Sequence, residues 1–278
     1  MRAQWTDLLR PQTRPRSALA CFTCYDVNTA SGVVTAAEEA DEPVCLLVSD
    51  AMFRGPAGPQ LTISLVAVAA RAAVPCVVQL DHCTDLDTIA AALELGVDAV
   101  MADGSRLPLE ENTRLVADAL AMAERYGAGV EAELGRVEGD EDRDVAARAG
   151  GYTDPVEAVD FVKRSGAHCL AVSVGNVHGS YTGTPSLDWG LLERLTGDVP
   201  VPLSLHGTSG LPTAQVQRAI ATGVRKYNVN TEIRRSQFAV LHRELAVTSR
   251  GFRVQELGEH LWQAAYQVAR DTAFARRG

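Results

Sequence analysis

Eight short apolar runs, at residues 18–22, 44–48, 75–80, 98–101, 129–134, 169–174, 201–205 and 224–229, alternate along the chain with segments of helical periodicity. Each run has the length of a strand. Hydrophobicity without a period-two alternation marks a strand buried on both faces, as in a parallel sheet covered by helices. Between the runs, Thr84 and Asp87 read as a capping box ahead of Ile89, Leu93 and Gly96, and Leu115, Ala119, Met122 and Tyr126 share one helical face. Asp154-Pro155 reads as the N-cap and first residue of a helix carrying Val156, Val159 and Val162. Pro212 opens another helix, with Val216, Ala219 and Ile220 on its apolar face, and Gly223 closes it. No stretch reads as a linker or tandem repeat. Residues 1–278 are therefore expected to form one domain of the α/β class, a (β/α)8 TIM barrel. An extra helical segment over 253–277 is expected to cover the barrel or contact another subunit. The competing arrangement is an open doubly wound sheet, but no G-x-G-x-x-G follows the first run.

Composition limits what such a barrel can do. Apolar residues make up 46% and charged residues 22%, enough for a sizeable core. A net charge of −9 argues against nucleic-acid binding, which needs a basic surface to neutralise phosphates. No apolar run approaches the ~18 residues of a membrane span, and the polar, proline-interrupted first twenty residues do not resemble a secretory signal, so a cytoplasmic location is expected. Cys21 and Cys24 form a C-x-x-C, but no second pair completes a structural zinc site. With Cys45, Cys76, Cys83 and Cys169 they are expected to be buried, reduced thiols. Of the 26 basic residues only Lys163 and Lys226 are lysines, so a Schiff-base mechanism would have to use one of them.

In a (β/α)8 barrel chemistry gathers at the C-terminal strand ends, and here those ends are polar. The third run leads into Asp81-His82, the fourth into Asp103-Gly104-Ser105, and the fifth ends Glu131-Ala132-Glu133. The sixth leads to Asn176-Val177-His178-Gly179, the seventh to His206-Gly207-Thr208-Ser209-Gly210, and the eighth to Asn228-Val229-Asn230-Thr231. Three of the six histidines thus end three different strands on one rim. His82, His178 and His206, separated by 96 and 28 residues, match no local zinc-finger spacing, so only barrel closure can bring them together. Three imidazoles with an open fourth position are a catalytic zinc arrangement. His168, His242 and His260 fall elsewhere and carry no assigned role. The Gly207–Gly210 turn, just before a helix, offers backbone N–H groups to an anion. The acidic stretch 136–144 reads as a solvated loop or as a lid carrying an acid or base.

The segments QLDHCTD, VMADGSRLPLEEN, VEAELGRVEGDED, GYTDP, VSVGNVHGSY, LSLHGTSGLP and GVRKYNVNTE occur in one order and resemble the class II, metal-dependent fructose- and tagatose-bisphosphate aldolase family from about Arg16 to Phe238. The resemblance implies reversible aldol cleavage of a ketose bisphosphate such as fructose 1,6-bisphosphate. Dihydroxyacetone phosphate would be the donor, and a bound Zn2+ would polarise the ketone and stabilise the enediolate. By matching position it implies His82, His178 and His206 as zinc ligands, Asp81 as the group moving the proton at the C4 oxygen, and Glu141 as the group exchanging a proton at C3. Asp103 and Glu133 match a second or alternative metal position. Gly179, Gly207, Ser209, Asn228, Asn230 and Thr231 match the ketone-phosphate site, often with a monovalent cation (Na+ or K+), and Ser49 is kept at the end of the second run. The implied assembly is a homodimer or homotetramer.

Four positions depart from the family pattern. Thr23 replaces an amide, Asp26 also differs in the first motif, Leu47 stands where glutamine is common, and Thr182 replaces a frequent lysine. These lie on the second-carbonyl side, so an acceptor other than glyceraldehyde 3-phosphate is expected. A biosynthetic aldolase joining dihydroxyacetone phosphate to a non-glycolytic aldehyde is the second reading. A non-catalytic partner subunit is the third; retention of the histidines and Asp81 weighs against it.

Overall fold

The computed structural model describes residues 3–10, 17–139, 146–147 and 150–274. Its eight long parallel strands close into a barrel in the order of the chain. They are β1 (Leu19–Thr23), β2 (Val44–Ser49), β3 (Cys76–Cys83), β4 (Ala99–Ala102), β5 (Gly129–Leu134), β6 (Cys169–Val172), β7 (Leu203–Leu205) and β8 (Val224–Val229), and β8 pairs with β1. After α1 (Trp5–Leu8), the connecting helices are α2 (Val27–Glu39), the short α3 (Asp50–Phe53) followed by α4 (Gly58–Arg71), α5 (Leu86–Glu94), α6 (Leu109–Ala123), α7 (Pro155–Ser165), α8 (Trp189–Asp198), α9 (Thr213–Thr222) and α10 (Thr231–Thr248). Among the described residues no helix is long and apolar enough to cross a membrane.

Burial explains the unbroken hydrophobicity of the runs. Every residue of β1, β2, β4, β5, β6 and β7 is buried. One face meets the helices: Phe22, Leu46, Val78, Val100, Val130 and Leu170 belong to the core that includes Ile89, Val116 and Phe161 from the helical layer. The other face fills the barrel, where Leu19, Cys21, Cys45, Leu47, Val77, Ala99 and Cys169 form a separate apolar layer. That layer is closed from below by Trp5 of α1, which is 1% exposed. Trp5 lies so close to Gly129 that a Cβ there would stand 2.3 Å from its ring. All six cysteines are buried free thiols, as expected.

The local signals largely hold. Asp154 caps α7 by accepting from the N–H groups of Val156 and Glu157, and Gly223 ends α9. The cap of α5 differs from the expected Thr84/Asp87 box. Asp85 is the N-cap, accepting from Thr88 N at 3.0 Å and Thr88 Oγ1 at 2.7 Å, because β3 runs on to Cys83 and leaves the helix to begin later. The expected C-terminal helix is α11 (Val254–Ala269), which packs on α2 and α10 with Ala265 and Ala269 buried. Beyond it the Phe274 ring reaches 6.1 Å from that of Phe22.

Because Trp5 plugs the barrel floor, Trp5→Ala is expected to destabilise the protein by about 3–5 kcal/mol in urea denaturation, the cost of emptying a large buried aromatic site. A loss below ~1 kcal/mol would show that the floor is closed by other residues.

Candidate active site

A register shift builds the rim at β3. Gln79 and Leu80 pair with Ala99 and Val100, but the next partner of Ala102 is Cys83, so β3 holds one extra residue. His82 takes up that residue in the left-handed region, with φ 51°. In a regular strand Asp81 and His82 would face opposite sides. The bulge re-aims one of them, and both reach the barrel mouth. A non-glycine residue held at positive φ is strained, a cost typical of functional positions.

His178 and His206 arrive from the loops after β6 and β7. One ligand atom from each of His82, His178 and His206 lies within 4.8 Å of the other two. His82 Nε2 is 3.0 Å from His206 Nδ1. The far nitrogen of each of these two rings faces a carboxylate: His82 Nδ1 is 2.7 Å from Asp103 Oδ2, and His206 Nε2 is 3.0 Å from Glu131 Oε1. With neutral rings, the carboxylates fix the N–H on the far atoms, which leaves the two facing nitrogens with their lone pairs directed at each other. A cation relieves that repulsion. Around them, Glu133 is buried, and its Oε2 has no hydrogen-bond partner among the described residues. The donor set of imidazoles and carboxylate therefore fits a divalent metal ion, with His82, Asp103 and Glu133 forming a second overlapping group of ligand atoms.

The carboxylates differ in state. Burial works against ionisation of Asp103, but the His82 ring and the Ser105 N–H, 3.0 Å away, hold it well below the usual carboxylate range. Burial, then the nearby Asp103 charge, pushes Glu133 up to about 8. Glu131 is fully buried, yet the Lys226 ammonium and His206 hold it well below the ordinary range.

Lys226 occupies the barrel centre. Its Nζ lies 3.0 Å from Glu131 Oε2 and donates to Asn228 Oδ1 at 2.6 Å. Gln79 Nε2 also donates to Glu131 Oε2, at 2.5 Å. Asn228 Nδ2 in turn faces both oxygens of Asp81, at 3.2 and 3.4 Å. Burial lowers the lysine's proton affinity, but Cys21, Glu131 and Asp81 outweigh it and hold Lys226 above the ordinary lysine range. A fully buried ammonium engaged on two sides is not a free amine, and Lys163 is exposed on α7, so neither lysine is placed for a Schiff base.

The positions matched to the ketone phosphate also converge. Gly179, Gly207, Ser209, Asn228, Asn230 and Thr231 line one small cavity beside His178. At Gly207, φ is 59° and a Cβ would stand 2.1 Å from the Val177 carbonyl, so only glycine lets the loops after β6 and β7 meet there. The anion-binding character of the turn is visible in an unforeseen way: the Glu232 carboxylate accepts from Ser209 Oγ and from Gly210 N. Ser49 sits level with Asp81 in the β2–β3 register, and its hydroxyl accepts from Met52 N to cap α3.

Glu141 lies outside the described residues. The start of its loop is tied to the site, because Glu138 bridges to Val177 and its carbonyl accepts from His178 N at 2.7 Å. Arg106 and Arg136 line the ≈320 Å³ mouth with His82, Asp103, Glu133 and His178. Among the departures, Thr23 pairs with Leu47 across β1 and β2, and both are buried. Asp26 caps α2 through Thr29, and Thr182 is exposed. Glu131 and Lys226 are the residues whose part in the site the sequence reading missed. Glu131 carried a signal, since it faces the interior two residues before Glu133.

Residues 3–273 match the family profile described as fructose-bisphosphate aldolase class-II. The fructose-bisphosphate aldolase of Geobacillus stearothermophilus is 38% identical over 229 residues, 81% of this chain and 79% of that one. The D-tagatose-1,6-bisphosphate aldolase subunit GatY of Klebsiella oxytoca is 39% identical over 233 residues, 82% of this chain and 81% of that one. Among solved structures, the YdjI aldolase of Escherichia coli K12 superimposes with a TM-score of 0.86 at 30% identity, covering 98% of this chain and 96% of that one. The chain belongs to the class II fructose-bisphosphate aldolase family, lyases that work with a divalent metal.

Proposed function

We propose that this protein is a zinc-dependent ketose-phosphate aldolase that uses dihydroxyacetone phosphate as donor. The observation that carries the reading is the convergence of His82, His178 and His206 from three separate strand ends beside the buried Asp81. Zn2+ held by these imidazoles would act as a Lewis acid on the substrate ketone. Asp103 and Glu133 would serve a second or alternative metal position, and Asp103 would also orient His82.

The chain's own groups then divide the proton transfers. Asp81, held by Asn228 at the barrel mouth, would take the proton from the C4 hydroxyl during cleavage and return it to the aldehyde oxygen during condensation. Glu141 would exchange the proton at C3 of the donor. The backbone around Gly179, Gly207 and Ser209, with Asn228, Asn230 and Thr231, would hold the donor phosphate, together with a monovalent cation (Na+ or K+). An incoming phosphate competes with Glu232 for Ser209 and Gly210.

Thr23 and Leu47 support an acceptor aldehyde other than glyceraldehyde 3-phosphate, because they set a hydroxyl-methyl group and an alkyl chain side by side at the two positions where the family pattern described above has amides. Asp26 has a structural role as a helix cap and carries no weight in that choice. The assembly we propose is a homodimer or homotetramer, supported by the exposed Phe238, Leu245 and Phe252 on and just after α10.

Removing metal with a chelator is expected to abolish aldol cleavage, and Zn2+ is expected to restore it; full activity of the metal-free protein would contradict the reading. Asp81→Asn should lower cleavage by roughly 10²–10⁴-fold while donor C3–H exchange in deuterated water persists. Glu141→Ala should instead abolish that exchange, and an unchanged exchange rate would remove Glu141 from the step. A panel of aldehydes offered with dihydroxyacetone phosphate identifies the acceptor; strongest turnover with glyceraldehyde 3-phosphate would count against the role given to Thr23 and Leu47.

A further inference from the structure

Lys226 is a fully buried ammonium inside the barrel, and such a charge is costly to place. The layer beneath it is apolar, and a methionine or leucine would fill the same space without desolvating a charge. The chain has 24 arginines and 2 lysines, yet keeps a lysine at this position. A compact ammonium can join two buried groups in a space that a larger, flat guanidinium would not fit. The junction is visible: the ammonium meets Glu131 at 3.0 Å on one side and Asn228 Oδ1 at 2.6 Å on the other.

Each contact fixes the orientation of a group further out. An amide beside an ammonium must turn its oxygen inward, because its NH2 would otherwise face a cation. Asn228 therefore directs Nδ2 at Asp81 and cannot be flipped without losing both partners. On the other arm, the Lys226 ammonium and Gln79 Nε2 both donate to Glu131 Oε2, which turns the other oxygen, Oε1, to accept from His206. His206 must then carry its proton on Nε2 and present a bare Nδ1 toward His82.

We infer that Lys226 is a positioning residue that sets, from one buried point, both the orientation of Asp81 through Asn228 and the metal-facing tautomer of His206 through Glu131. This rests on the aldolase reading for the role of Asp81; the His206 arm stands on geometry alone. Lys226 touches no substrate atom in this account. It acts through two chains of hydrogen bonds that end on different parts of the site.

The test uses the full-length protein and two variants. Lys226→Met alone strands the Glu131 carboxylate in the barrel and is expected to melt well below wild type. The double variant Lys226→Met/Glu131→Gln removes both charges and is expected to melt within about 5 °C of wild type, since a buried pair replaced as a unit costs little. Despite its intact fold, the double variant should bind Zn2+ ~10–100-fold more weakly in a competition titration and lose kcat by a similar factor. Its KM should rise by a smaller factor than kcat falls, because Asn228 also borders the cavity assigned to the donor phosphate. In the metal-free wild type, ¹⁵N spectra of His206 should show a single Nε2–H tautomer. The double variant should show a mixture, since the introduced amide can present either its oxygen or its NH2 to the ring.

A double variant with wild-type Zn2+ affinity, kcat and tautomer would overturn the inference. So would one that melts far below wild type, which would make the pair a requirement of the fold, or a wild-type His206 protonated on Nδ1. If the wild type turns over no ketose phosphate, the proposed function fails. The tautomer and Zn2+ titration then still decide the His206 arm.

Discussion

The Glu131–Lys226 ion pair at the centre of the barrel is the constraint around which the rest of the site is arranged. Two fully buried opposite charges are tolerated only when both are neutralised and their remaining hydrogen bonds are made. Gln79, His206 and Asn228 make those bonds, and each is thereby fixed in orientation. The apolar layer below, closed by Trp5, excludes water from the pair. The polar layer above inherits its geometry from the pair. Stability and site geometry therefore meet in the same few residues, and a substitution there affects both.

The bulge in β3 is the second device. A strand offers alternate residues to the barrel mouth, which would give the site either Asp81 or His82 but not both. One extra residue, absorbed at His82 with positive φ, supplies a carboxylate and an imidazole from adjacent positions. The later loops are joined more simply: Asn176 Nδ2 donates to the His206 carbonyl, and Tyr181 Oη donates to the Gly207 carbonyl. His178 and His206 are thus held by the same set of backbone contacts that shapes the small cavity beside them.

Much of this was legible in the sequence, for a physical reason. Strands buried on both faces read as unbroken apolar runs, so all eight barrel strands were visible, and the polar residues just after them marked one rim. The three histidines could be brought together because barrel closure leaves strand ends few places to go. The cap of α5 at Asp85 was misplaced, because the bulge lengthens β3 beyond its apolar run. Sequence marks Lys226 only as a candidate amine. One-dimensional spacing does not reveal that its nearest charge, Glu131, lies across the barrel on β5. The plug formed by Trp5 was invisible for a similar reason: its partners Gly129 and the inner apolar layer come from strands far along the chain.

In the proposed site, three imidazoles from three strand ends hold one divalent ion at the mouth of this barrel. X-ray absorption spectroscopy at the zinc edge of the stoichiometrically loaded protein tests it most directly, because it reports the ligand atoms without reference to activity. Three imidazole nitrogens are expected around the metal, falling to two in His206→Ala. A shell dominated by sulfur, or one unchanged by that substitution, would contradict it.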